Sequence, residues 1–311
     1  MNLGFAALFL AAGLNSSAVF GQASQTTFDF HSGFWVNLHH TLYNQAAGIK
    51  AGRTPNLSAL SATEATAWNA ALDYYERNLA EKDFLEPSMT EINTALAKAG
   101  NAPSLKGAHV PEPLSQLLEQ AAPVYRAQWW AEHDRKNHQW IDEVTPLIAQ
   151  YESALKPALA RAYDTPWPKG RIHVEMSYYT TGASAYTSIF PTLITVSSWS
   201  QRNVGPAGLE TVFHEAGHAL VLKIRGEISA AQQRRGRKPA YVDLWHALMF
   251  YTTGELVKQQ VPALVPYAIK YGMWENNWPN LLPIMERDWK PFLDGKGSFR
   301  ESIDRLATDS E

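Results

Sequence analysis

Hydrophobic and polar positions divide the chain into two unequal regimes. Up to about residue 162 the apolar residues recur at helical spacing. Phe28 to Tyr43 reads as a helix rich in aromatics and His, followed by a loop with Gly52 and Pro55. Two capping-box patterns then announce helices: Ser61-Ala62-Thr63-Glu64, ahead of Trp68, Leu72 and Tyr75, and Ser88-Met89-Thr90-Glu91, closed by Gly100. From Pro113 to Ala162 the same period continues through Leu114, Leu117 and Leu118, the tryptophans 129, 130 and 140, and Leu155 and Leu159.

Past Pro166 and Pro168 the period changes to two. Ile172, Val174 and Met176 share one face of a predicted strand, with His173, Glu175 and Ser177 on the other. Thr192 to Ser198 is a second, β-branched run. Between them Thr180 to Ser188 is polar and reads as a hairpin connection or an active-site loop. Gly205-Pro206 suits a helix entry, and Ala207 to about Ile224 reads as one helix. Tyr241 to Leu306 is helical again, with breaks at Pro262, Pro266 and Pro279. The pattern predicts an α+β, mostly helical fold with no internal repeat. It is a single unit over residues 22–311, with a helical part at 22–167 and a mixed part at 168–311.

Composition narrows the function. With 27 basic against 30 acidic residues and a net charge of −3, the chain has no field to attract nucleic acid. It has no cysteine, so any metal must be held by His and carboxylates. Residues 1–21 resemble a cleaved secretory signal: a short apolar run from Gly4 to Ala12, then small and polar residues, though without a basic n-region. That predicts export to a periplasm or the exterior. No stretch approaches the ~20 apolar residues of a membrane span, so no stable membrane insertion is expected after cleavage.

The chemistry concentrates in Leu209-Glu210-Thr211-Val212-Phe213-His214-Glu215-Ala216-Gly217-His218-Ala219-Leu220. Four residues make slightly more than one helical turn, so His214 and His218 project from one face and can grip a single ion. Glu215 lies about 100° round the helix, beside that face, where its carboxylate can act as general base toward a metal-activated water. HExxH arises by chance in roughly one chain of this length in a hundred, so context decides. Here a strand precedes it, a Pro-started helix carries it and its flanks are apolar. The competing reading is two core histidines on an ordinary buried helix.

These residues resemble the active helix of the zincin superfamily, specifically its gluzincin branch, and Phe213 to Leu220 looks like the active helix of oligopeptidases in that branch. The resemblance is strict for His214-Glu215-Ala216-Gly217-His218 and loose as far as Leu256. The metzincin branch does not fit, because Ala219 to Arg225 lack its Gly and third His. The resemblance implies a zincin-like core, one zinc ion, hydrolysis of peptide or protein substrates, and a strand along the cleft that pairs with substrate, here Thr192 to Ser198. It also implies a third ligand from a later helix, commonly a Glu.

Glu227, Glu255, Glu275 and Glu286 are the candidates, and Glu255 is preferred because its surroundings are nearly free of charge. His246 competes for the role. On a straight helix the two are nine residues, about 14 Å, apart and cannot hold the same ion. The one that does not bind metal is expected to line the cleft. His31, His39 and His40 read mainly as part of a helix packed on the core, and Tyr178, Tyr179, Tyr241 and Tyr251 are candidate oxyanion donors. The basic run from Arg234 to Lys238 reads as a solvated loop. Hydrolysis of another amide, and a non-catalytic binding role on the same scaffold, are the alternative functions.

Overall fold

In the computed structural model the described residues are 26–180, 182, 184–236 and 240–310. The segment read as an export signal lies outside them. Four strands form one sheet: β1 (Phe28–His31), β2 (Ile172–Ser177), β3 (Ala185–Ile189) and β4 (Thr192–Ser197), in the order β1-β2-β4-β3. The first two pairings are parallel, and β3 runs antiparallel to β4.

Helices cover both faces. On one side lie α1 (Phe34–Lys50), α2 (Ala62–Asn78), α3 (Pro87–Ala99) and α4 (Leu114–Tyr125). Their core includes Trp35, Trp68, Tyr75 and Phe84, and it takes Tyr186 and Leu193 from the sheet. On the other lie α5 (Ala131–Ala162), α6 (Pro206–Gly217), α7 (Leu222–Arg235) and α8 (Leu244–Gln260). The shorter helices α9 (Tyr267–Lys270), α10 (Met273–Asn276), α11 (Leu281–Ile284) and α12 (Lys290–Leu293) follow, and α13 (Phe299–Asp309) comes last. This second core takes Phe28, Val174, Met176, Ile194 and Val196 from the sheet. The fold is therefore α+β and mostly helical, and β1 and much of α5 pack with the C-terminal core. Among the described residues no helix is long and apolar enough to cross a membrane.

Several local expectations hold. The Ser61 capping box is complete, with Glu64 N–H donating to Ser61 Oγ and the Glu64 carboxylate accepting from Ser61 N–H. Ile172, Val174 and Met176 face the second core as the alternation requires. The far end of the opposite face is buried too, under the first half of α1: Glu175 accepts from Gly33 N–H and Ser177 meets His40, while His173 stays partly exposed.

Others are corrected. Phe28–His31 is a strand; the helix begins only at Phe34. Four residues with aromatics at alternate positions pair with β2, more than 140 positions away, which local period does not reveal. The second helix start is at Glu86-Pro87 and not at Ser88, since Pro87 occupies the first turn and the Glu86 carboxylate accepts from Asp83 N–H. Part of the polar stretch 180–188 is strand β3. The helix from Ala207 breaks after Gly217: His218, Ala219 and Leu220 bond back three residues in place of four, and α7 starts at Leu222. Arg234 and Arg235 belong to the last turn of α7, where Arg234 pairs with Asp304.

The entry of α6 has no spare room. A Cβ on Gly208 would sit 2.6 Å from the Asn203 carbonyl oxygen and 2.8 Å from a Val144 methyl. Gly208→Ala is expected to cost about 1–3 kcal/mol of stability, read as a lowered thermal midpoint. His39, buried in α1, is held down to about 3 by desolvation, against 6.5 when exposed. Between those values the unfolded chain binds a proton that the native state rejects. Stability therefore falls as pH drops from 6.5 toward 3, by up to roughly 1.4 kcal/mol per pH unit from this residue. Denaturant titrations of wild type and His39→Gln should diverge in that window, the wild type losing stability faster on acidification.

Candidate metal centre and active site

The site forms where the C-terminal end of α6 meets the first turns of α8 beside β3. Every residue of α6 from Ala207 to Gly217 is buried, as an apolar-flanked helix inside a core must be. Gly217 faces Met249 and Tyr163, and an added Cβ there would lie 3.3 Å from the Met249 methyl. That close approach of α8 brings His246 to the α6 histidines.

One ring nitrogen from each of His214, His218 and His246 lies within 4.8 Å of the others. The ring centroids form a near-equilateral triangle, 5.3, 5.4 and 5.4 Å on its sides. Burial, together with each neighbouring imidazole, holds His214 well below the usual range. Burial brings His218 down to about 3, with His246 adding to the effect, and lowers His246 against the opposing pull of Asp243. All three rings are thus neutral at pH 7, the form that binds metal.

His40 shows the contrasting case of a satisfied core histidine. Its two nitrogens meet Ser177 Oγ at 2.8 Å and Tyr186 Oη at 2.9 Å. His214 Nδ1, by contrast, is buried with no hydrogen-bond partner. Three clustered neutral imidazoles fit a divalent cation such as zinc, which takes neutral imidazole ligands readily.

Glu215 lies beside this triangle, one carboxylate oxygen 3.9 Å from His218 Nε2. The Thr187 hydroxyl on β3 donates to Glu215 Oε2 at 2.6 Å and so fixes the carboxylate. Burial pushes Glu215 up to about 7, with the Thr187 bond acting the other way. A carboxylate titrating near neutrality suits proton transfer, and a cation alongside would favour its ionised form.

Glu255 is the correction. It lies nine residues beyond His246 on the straight helix α8, so it faces a different region and does not join the histidines. It is half-buried, 4.0 Å from Lys290 Nζ, and burial raises its carboxyl. The donor set is therefore three imidazoles, a departure from the carboxylate that the resemblance implies.

The strand along the cleft is also corrected. Thr192–Ser197 is flanked on both sides by β2 and β3, whereas β3 is the outer strand. Ala185, Tyr186 and Thr187 line the cleft with the three histidines, and Tyr43 and Phe84 of the N-terminal helical layer form the facing wall. None of the tyrosines singled out from sequence lines this cleft. Tyr178 and Tyr179 pack with His133 and Trp199, Tyr251 lies against Trp274, and the Tyr241 hydroxyl donates to the Pro279 carbonyl. Tyr267 at the start of α9 lines the site instead, together with Phe250, whose ring stacks 4.0 Å from that of His214.

Sequence reasoning passed over Thr187, Phe250, Tyr267 and Glu210. Of these, Glu210 alone carried a local signal: four residues before His214, it shares the metal face of α6. The chain matches no protein-family model, no curated protein and no solved structure.

Proposed function

We propose that the chain is a zincin-type metallohydrolase that cleaves peptide bonds, exported if its first residues act as the signal they resemble. The observation that carries the reading is the convergence of His214, His218 and His246 beside Glu215. A structural zinc site closes with four protein ligands, whereas three imidazoles leave a position open. When bound, the ion supplies a Lewis acid that polarises the scissile carbonyl and acidifies water.

The chain's own residues do the rest. Glu215 accepts the proton of the attacking water and passes it to the leaving amine, held in place by Thr187. The protein groups around it, the half-buried Phe250 and Trp245 and the buried Trp278, limit water and lower the local dielectric. An extended peptide is the substrate that suits a cleft bordered by the outer strand β3, whose backbone can pair with it in register.

Purified protein should hold about one zinc per chain by elemental analysis. Glu215→Gln is expected to keep that metal while hydrolysis of peptides falls on the order of a thousandfold. His246→Ala should lose most of the zinc and Glu255→Gln should retain it. Unchanged metal content in both His214→Ala and His246→Ala would reject the assignment.

A further inference from the structure

A second carboxylate sits beside the proposed reaction centre. Glu210 is 2% exposed, and its two oxygens accept from Tyr267 N–H at 3.0 and 2.9 Å. No cationic side chain pairs with it among the described residues. A buried carboxylate with a single backbone donor is an uncompensated charge, which proteins rarely keep without a partner. Space is reserved for it as well: a Cβ on Gly254 would come within 3.1 Å of Glu210 Oε1.

Glu210 opens onto a recess of about 40 Å³, walled by Ser184, Thr211, Phe250 and Tyr267 and continuous with His214 and Glu215. That volume holds one or two groups the size of a water molecule, such as an ammonium, and is too small for an amino-acid side chain. None of its walls carries a positive charge.

The spacing selects the kind of ammonium. Glu210 and His214 are one helical turn, about 6 Å, apart on the same face. In a peptide the α-nitrogen lies roughly 2.5 Å from the carbonyl carbon of its own residue, and an ammonium sits about 2.8 Å from a carboxylate oxygen. An ammonium held by Glu210 in the recess that His214 and Glu215 also line therefore favours the first peptide bond over later ones at the three histidines.

We propose that this recess is the subsite for the free α-ammonium of a peptide's N-terminal residue, with Glu210 as its counter-charge, so that the substrates are peptides with unblocked N-termini. The proposal rests on the hydrolase reading for its consequence, removal of the first residue by addition of water across its peptide bond. The subsite itself is testable by binding alone.

Calorimetric titration of the zinc-loaded Glu215→Gln protein with leucine amide, N-acetyl-leucine amide and N-acetyl-lysine amide supplies that test. Leucine amide should bind at least about tenfold more tightly than its acetylated form. Glu210→Gln keeps an acceptor for Tyr267 N–H while removing the charge, and should bring the two ligands to within about threefold. Equal binding of the free and acetylated amides, or a preference that survives Glu210→Gln, overturns the proposal. Binding of N-acetyl-lysine amide as tight as that of leucine amide also overturns it, by showing that a side-chain ammonium is the occupant.

Wild-type protein offered a free and an N-acetylated tetrapeptide, with products read by mass spectrometry, should release only the first residue of the free one. A binding preference without any hydrolysis would keep the subsite and remove the hydrolase reading. Cleavage of both peptides at internal bonds would do the reverse.

Discussion

The burial of α6 from Ala207 to Gly217 is the constraint on which the site depends. A helix enclosed by a sheet, α5 and α8 cannot leave polar side chains to water, so each must find a partner inside the protein. Thr211 does so through Asn203 and the Ala207 carbonyl, Glu215 through Thr187, and Glu210 through the Tyr267 backbone. The imidazoles of His214 and His218 cluster with each other and His246, among the aromatic rings of Phe250 and Trp245. A core that satisfies every other polar group on one helix and clusters three neutral imidazoles at its end supports the proposal that those rings hold a cation.

The sheet places the rest by its period of two. Neighbouring residues of β3 face opposite layers: Tyr186 joins the N-terminal helices and bonds to His40, while Thr187 turns to α6 and fixes Glu215. The cleft runs along β3, an edge strand of the sheet, between residues of the two helical layers. Tyr43 and Phe84 from one layer therefore confront His218 and His246 from the other. The Asn37 amide, bonded to Met176, Tyr178 and Asn137, ties α1 and α5 to β2 and so keeps the two layers in register across the sheet.

How much of this was legible in sequence follows from how local each feature is. His214, Glu215 and His218 share one turn, so helix geometry alone aligned them. The capping box at Ser61, the Pro206 entry and the alternation of 172–176 are equally local. The third donor is not: His246 and Glu255 occupy the same apolar segment, and periodicity shows that only one can reach the ion without showing which. Close packing at Gly217 decides it, and the same helix then carries Glu255 toward Lys290. β1 escaped because a four-residue strand is defined by its partner and not by its own pattern. Thr187 and Tyr267 are ordinary residues in polar or Pro-broken stretches, and nothing in their neighbourhoods marks them.

Charge balance makes sense of the remaining departures. A site with a carboxylate ligand neutralises half the charge of a divalent ion within its own donor set, whereas three imidazoles neutralise none. The compensation must then come from groups that surround the donors, and the acidic side chains on α6 are Glu215, within the histidine turn, and Glu210, one turn before it. Both are buried, and burial raises both toward about 7. Desolvation leaves such carboxyls only partly ionised near neutral pH; positive charge beside them ionises them fully. One stripe of helix thus carries acid, imidazole and imidazole at four-residue intervals, and on the proposed reading a substrate ammonium supplies the charge that Glu210 lacks while a cation held by the imidazoles supplies the charge beside Glu215.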